Sequence, residues 1–426
     1  MIFKDAIRSL LNDYVRSFFY WLTFVLTSMF IFLFFNISMS DTLAVTFIDS
    51  RNDMTTNVTI FIIIVASIDI FFANDFFVKS KSKSLAVQLI CGGKYTQLAS
   101  FLLIQTFILL MLALPPGIIA ALGLIPLLNT VLNNFMSSEV LISVVPEALV
   151  HAVVVLVYVV FWTTFLNLSF AYKNMPNDLM NEQWITVKQN PPLVDLQLLK
   201  KRTKKIIASV MFAAPVILLL FNPEAALLLC LISLFGLNSC YKSIALPYLD
   251  RYIETKAVNE PVLLTSLGFV RGDLKAMKKN LILFLLTAVM LISFMVSAEK
   301  ALDVMLITMS YIILNTMQSL ALMFTHQTIV VSRIRSFRTL EQIGYMKNDL
   351  KKVILYEMIY FYGFVILCGL IYFVPLYAGL LIRHLISFTF VLILLLGYII
   401  PLVISGLICG VYYDHMIFGK QEGKGS

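Results

Sequence analysis

Two carboxylates, Asp69 and Asp75, lie inside an apolar stretch of the chain, in the sequence SIDIFFANDFF. An ionisable side chain within a membrane span is costly, and such groups often belong to proton or ion pathways. Asp75 lies four residues before Lys79, and there an ion pair along one helix is the favoured interpretation. Asp69 is the better candidate for an intramembrane functional group, and proton transfer is the chemistry that it would support.

A histidine, His326, lies in a later apolar stretch together with Asn315 and Gln318. Polar side chains in membrane spans more often make hydrogen bonds between helices than bind substrate, so the functional role of His326 competes with a structural one. The five cysteines have no C-x-x-C or Cys/His spacing, and no Ser/His/Asp arrangement is apparent. We therefore predict neither catalytic residues nor a metal site.

Two basic segments of the chain, within 79–106 and 331–358, are each interrupted by a glycine. The alignment that places Gly344 on Gly92 also pairs Arg333 with Lys81, Arg335 with Lys83, Leu350 with Leu98 and Glu357 with Gln105. Glycine permits a sharp turn, and Lys and Arg side chains bind acidic partner surfaces or anionic head groups. We call residues 79–98 and 332–353 the first and second docking segments.

The docking interpretation has a simpler alternative, because cytoplasmic loops of membrane proteins are generally basic. One such loop would be explained in that way, but two loops in matched register favour a docking surface that is used twice. The candidate docking residues are Lys81, Lys83, Gly92, Lys94, Arg333, Arg335, Arg338, Glu341, Gly344 and Glu357.

The composition predicts an all-α integral membrane protein. Of the 426 residues, 60% are hydrophobic and only 13% are charged, and the mean hydropathy is +0.91. A soluble domain could not cover so much apolar surface with so few charges. Apolar runs of membrane-spanning length predict about ten spans, at residues 17–37, 58–78, 99–124, 144–171, 206–221, 224–246, 280–298, 303–331, 354–375 and 384–413.

The basic residues predict the orientation of these spans. Of the 32 Lys and Arg residues, only Arg51, Lys300 and Arg383 are left for the outer face when both termini are cytoplasmic. This bias follows the positive-inside rule, and it accounts for the net charge of +8 without nucleic-acid binding.

An internal repeat predicts the order of the spans. The sequences KDAIRSLLNDYVRSFF, before span one, and RGDLKAMKKNLILFLL, before span seven, are both basic amphipathic helices that lead into a group of four spans. The predicted 4+2+4 organisation has a first four-helix repeat at 1–171, a basic cytoplasmic linker at 172–205, a central two-helix hairpin at 206–246, a second four-helix repeat at 247–413 and a cytoplasmic tail at 414–426.

These features resemble the FtsX-like permease family, the membrane subunits of MacB-type ABC transporters. The resemblance is best over residues 58–125 and 303–378, and the family pattern is a basic pair, an apolar helix, a glycine break and a Glu thirteen residues after the glycine. The second copy keeps Glu357, whereas the first has Gln105. The layout is most similar to the ten-span permeases of bacitracin-resistance transporters, but the large extracellular domain that those proteins carry between spans seven and eight is missing.

The resemblance implies a permease in the bacterial plasma membrane that works by mechanotransmission from a separate cytoplasmic ATPase dimer. ATP and Mg²⁺ would be bound by that partner, and the permease itself would bind no cofactor. The implied substrates are amphipathic, either an antimicrobial or signalling peptide or a lipid-linked molecule, with a sensor kinase as a further partner. The roles implied are antimicrobial peptide resistance and peptide export.

The residues themselves are consistent with a separate ATPase, because Gly93-Lys94 is followed by Tyr95 and lacks the spacing of a P-loop. Two alternatives from other classes stay open. One is a proton-coupled secondary transporter centred on Asp69, and the other is a non-transporting membrane sensor or scaffold.

Overall fold

The computed structural model describes residues 2–39, 53–136, 142–173, 201–221, 226–255, 257–297, 301–384 and 386–422. Nearly all of this part is α-helical and no strand occurs in it, as expected where backbone groups must be satisfied without water. The chain divides into two compact units, residues 1–184 and 185–426. The division falls within the predicted linker at 172–205, most of which lies outside the described residues.

Seven helices of the described part are long and apolar enough to cross a membrane. They are Ser17–Met39, Tyr95–Thr130, Pro146–Tyr172, Pro261–Val296, Ile307–Val331, Lys347–Ile382 and Phe388–Phe418. The predicted class, an all-α multi-pass membrane protein, is therefore confirmed. The predicted spans at 58–78, 206–221 and 224–246 overlap the helices Asp53–Ser80, Lys201–Phe221 and Ala226–Cys240, which are not among these seven. The number of about ten spans therefore stays a prediction.

The first unit is built around one central helix. Its helices are α1 (Ile2–Asn12), α2 (Tyr14–Met39), α3 (Asp53–Ser80), α4 (Ser82–Ile90), α5 (Tyr95–Met136) and α6 (Pro146–Lys173). The α2 helix packs against α3, α5 and α6. The short α1 helix packs on α5, and Ala6 of α1 joins Leu85 of α4 and Leu102 of α5 in one buried apolar cluster.

The second unit combines a helical hairpin with four long helices. Its helices are α7 (Lys201–Phe221), α8 (Ala226–Cys240), α9 (Leu246–Thr255), α10 (Pro261–Ser297), α11 (Ala301–Ile343), α12 (Lys347–Ile382) and α13 (Phe388–Glu422). A π-helical turn, Tyr241–Ala245, connects α8 to α9. The α7 and α8 helices pack on each other, and they contact α12 and α10 respectively.

The two docking segments make the same turn. Gly92 and Gly344 have φ values of +91° and +111°, in the region that glycine tolerates best. In each copy the glycine amide donates to the carbonyl three residues back, and the next amide donates to the carbonyl five residues back, which is a Schellman motif. Leu98 and Leu350 then both begin to pack into the interior, and each is at most 3% exposed.

Replacing Gly344 with alanine is expected to destabilise the protein by about 1–2 kcal/mol, because an L-residue is strained at this positive φ. A Cβ there would meet nothing within 4 Å, so backbone strain is the only cause. The matched control is Gly363→Ala in α12, where a Cβ also meets nothing within 4 Å and alanine favours the helix. Thermal unfolding of the two variants in detergent measures the difference, and equal melting temperatures would contradict the prediction.

Candidate functional site

A group of ionisable side chains lies in the interior of the second unit. We call Asp273, His326, Arg333 and Glu357 the buried ion cluster. Asp273 lies on α10 and Glu357 on α12, whereas His326 and Arg333 lie seven residues apart on α11. Seven residues are two helical turns, so both α11 side chains face the same way.

Arg333 holds the two carboxylates together. Its Nη1 donates to Oε1 of Glu357 at 2.5 Å and to Oδ2 of Asp273 at 3.2 Å, while Nη2 donates to Oδ1 of Asp273. Nη2 also donates to the carbonyl of Phe269 at 3.3 Å, and the guanidinium lies over the Phe269 ring. Burial opposes the charge of Arg333, but the two carboxylates outweigh it and raise the pKa of Arg333 above its ordinary value.

His326 lies on the other side of the same carboxylate oxygens. Its Nε2 is 3.4 Å from Oδ2 of Asp273 and 3.6 Å from Oε1 of Glu357, and its side chain is fully buried. Cys409 Sγ lies 3.7 Å from its Nδ1, and Tyr413 donates to Oε2 of Glu357 at 3.3 Å. Cys409 and Tyr413 are on α13, so all four long helices of the second unit contribute to this site.

The charges of the buried ion cluster balance only with one additional proton. Two ionised carboxylates and one guanidinium leave a net negative charge, and an unbalanced charge in a dry interior is very costly. A proton on His326 or on a carboxyl group removes it. The donor atoms of Asp273, His326 and Glu357 also lie within 4.8 Å of one another, as a metal ion would require. However, Arg333 already donates to both carboxylates, so the geometry favours a proton.

The first unit has a counterpart of this cluster, in which the amide of Gln105 stands at the position of the Glu357 carboxylate. Nζ of Lys81 donates to Oγ of Ser9 at 3.2 Å and to Oε1 of Gln105 at 3.5 Å. Nε2 of Gln105 donates to the carbonyl of Ala6 at 3.2 Å. In both copies the aligned basic residue therefore contacts the residue thirteen positions after the glycine, and the pair is joined to the helix that leads into the first span of its repeat.

The predicted docking residues fall into two groups. Those on the surface are Gly92, Lys94, Arg335, Arg338, Glu341 and Gly344. Lys81 and Glu357 are 2% and 0% exposed, and the Arg333 side chain is 11% exposed. Lys81 and Arg333, near the start of the two docking segments, and Glu357, just after the second, therefore face the interior rather than the surface that a partner would contact. Lys83 is on α4, but its side chain lies outside the part that the structure describes.

The two predicted intramembrane residues lie in different units. Asp69 is buried on α3 of the first unit, and His326 belongs to the buried ion cluster of the second. The sequence analysis did not identify Asp273, which lies in the basic lead-in sequence RGDLKAMKKNLILFLL before span seven. A signal was present, because Asp273 falls on the same helical face as Val270 and Met277, both of which are buried. An acid on an apolar helix face indicates a buried charge partner.

The helices and the buried ion cluster together define a multi-pass α-helical membrane protein with an interior ionic network. No protein-family model matches the chain, and no curated protein matches it either.

Proposed function

We propose that this chain is the permease subunit of an ATP-driven ABC transporter and that its two docking segments couple it to a separate cytoplasmic ATPase dimer. The proposal rests on the repeated Schellman turn, which carries basic residues in both copies. Around the second turn, Arg335 and Arg338 are exposed, and so are Ile343 at 72% and Met346 at 74%. A rim of charge around exposed apolar side chains is typical of a surface that binds another protein.

Buried contacts at the base of the docking segments would transmit movement of these segments to the membrane helices. Arg333 and Glu357 join the base of the second docking segment to Asp273 of α10, and α10 is one of the helices long enough to cross the membrane. Lys81 and Gln105 join the first segment to α1 in the same way. When the ATPases close, movement of a docking segment would therefore be transmitted into membrane helices by ionic and hydrogen-bonded contacts.

The finer features of this proposal come from the sequence. They are about ten spans in a 4+2+4 order, cytoplasmic termini and a bacterial plasma membrane location. The substrate would be an amphipathic peptide or a lipid-linked molecule, because the spans offer apolar surfaces to it.

Photo-crosslinking in the native membrane tests the proposal. A crosslinking amino acid at Ile343 is expected to yield an adduct with a protein that carries the P-loop of an ABC ATPase, identified by mass spectrometry. The control position is Val411 on α13, which is also 72% exposed, and it should yield no such adduct. If Ile343 gives only the same products as Val411, the proposed docking surface is wrong.

A double substitution tests the role of charge. Arg335→Glu with Arg338→Glu is expected to reduce the ATPase adduct from Ile343 at least tenfold, because acidic side chains would repel an acidic partner rim. The matched control is Lys275→Glu with Lys279→Glu, which makes the same charge change on α10 outside the docking segments. An equal loss in both variants would indicate a general charge effect and would contradict the assignment.

A proton-coupled secondary transporter is the second candidate. It is favoured by the buried ion cluster, whose net negative charge is removed by one additional proton. In that case Ile343 would give no ATPase adduct, and transport in liposomes would depend on a proton gradient. Asp69→Asn would then abolish transport while leaving the protein folded. A non-transporting sensor or scaffold would instead yield an adduct with a kinase, without any transport.

A further inference from the structure

A cleft in the second unit is separate from the buried ion cluster and from the docking segments. It lies between α8, α10 and α12, is partly open to the surroundings, and has a volume of about 30 Å³. Most of its wall is apolar, and Leu237, Leu281, Leu285 and Phe364 contribute to it. Such a surface accepts hydrocarbon.

One end of the cleft is cationic. Lys278 of α10 lines it, with its Nζ 5.2 Å from the centre of the Tyr241 ring. Lys242 directly follows Tyr241 in the chain, so a second basic residue lies at this end of the cleft. In the part of the chain that the structure describes, no carboxylate lies within ion-pair distance of Lys278. An ammonium group that lines an apolar cleft without a carboxylate partner would be stabilised by an anion.

A second, independent observation points to a ligand at the same place. Tyr241 is 7% exposed, and its hydroxyl has no hydrogen-bond partner among the described residues. A buried hydroxyl without a partner loses the hydrogen bonds that it made in water, which is unfavourable. Tyr241 also begins the π-helical turn, Tyr241–Ala245, and such turns are rare and are often found at functional sites.

We propose that this cleft binds one anionic phospholipid of the surrounding membrane. The phosphate lies between Lys278 and Lys242 and accepts a hydrogen bond from the Tyr241 hydroxyl. One acyl chain lies along the apolar wall formed by Leu281, Leu285 and Phe364. Basic pockets between membrane helices bind acidic lipid head groups in this way. The site does not depend on the ATPase, so it can be tested independently of the proposed transport function.

Native mass spectrometry of the full chain in neutral detergent tests the site. Phosphatidylglycerol is compared with phosphatidylcholine that carries the same acyl chains, so only the head group differs. The unaltered protein is expected to bind one phosphatidylglycerol at least tenfold more tightly than phosphatidylcholine. Lys278→Gln should weaken phosphatidylglycerol binding about fivefold, which corresponds to about 1 kcal/mol for one basic residue near a lipid head group.

The matched control is Lys279→Gln, which removes the same charge from the next, exposed residue and should leave lipid binding unchanged. Tyr241→Phe removes only the hydroxyl and should weaken phosphatidylglycerol binding by a similar factor. Thermal unfolding in phosphatidylcholine alone checks that each variant is folded. Equal binding of both lipids, equal losses in Lys278→Gln and Lys279→Gln, or unchanged binding by Tyr241→Phe would each overturn the proposal.

Discussion

Replacing Arg333 with methionine is expected to abolish most of the folded protein. The guanidinium donates to both Asp273 and Glu357, whose side chains are fully buried, and methionine would leave these carboxyl groups without the guanidinium charge and its hydrogen bonds. Breaking a buried ion pair by removing one partner typically costs about 3–5 kcal/mol. That loss is a large fraction of the stability of a natural protein, so both the yield and the melting temperature should fall.

Two comparisons make the Arg333 prediction specific. Arg335→Met, two residues further along α11, removes an exposed arginine and should leave the melting temperature unchanged. Adding Asp273→Asn and Glu357→Gln to Arg333→Met replaces both carboxyl groups with amides. The triple variant should recover part of the lost stability, because neutral amides cost less to bury than carboxylates. If Arg333→Met and Arg335→Met melt at the same temperature, the buried ion cluster does not stabilise the fold.

The helical class and the repeated turn can be predicted from the sequence, because both depend on residues that are close together in the chain. Long apolar runs specify membrane helices, and a glycine at the same register in two basic segments predicts the positive φ found at Gly92 and Gly344. Leu98 and Leu350 were aligned from that register, and both are buried. These are properties of neighbouring residues, so no tertiary information was needed to identify them.

The buried ion cluster could not be predicted from the sequence in this way. Arg333, Glu357 and His326 were each identified separately, as two docking residues and one residue within a span. Their convergence depends on the rotation of α11 and α12 about their axes, which the packing of all four long helices determines. A basic loop predicts a surface position for Arg333, but the Phe269 carbonyl and the carboxylate of Asp273 accept its hydrogen bonds and hold it in the interior.

The cleft could not be predicted from the sequence either. Lys278 belonged to a run of basic residues that the positive-inside rule already explained, and Tyr241 was one more aromatic residue at the end of an apolar run. A π-helical turn has no reliable sequence pattern. Only the packing of α8 on α10 reveals that these two side chains share one space.

Replacing Gly236 with alanine is expected to disrupt the packing of the α7–α8 hairpin. A Cβ at Gly236 would lie 2.5 Å from backbone atoms of Met211 and Phe212 in α7, and backbone cannot rotate away as a side chain can. Small residues allow membrane helices to approach this closely, and overpacking costs about 1–3 kcal/mol or more.

The α7–α8 prediction has a second readout in the hydrogen bonds of Ser233. Its hydroxyl donates to the Phe212 carbonyl at 3.2 Å, and its oxygen lies 3.1 Å from the hydroxyl oxygen of Tyr372 on α12, so separating α7 from α8 breaks a contact that joins three helices. Gly236→Ala should therefore lower the melting temperature by more than Ser233→Ala does. The control is Gly268→Ala on α10, where a Cβ meets nothing within 4 Å and alanine favours the helix. A melting temperature of Gly236→Ala equal to that of Gly268→Ala would show that α7 and α8 do not pack at this distance.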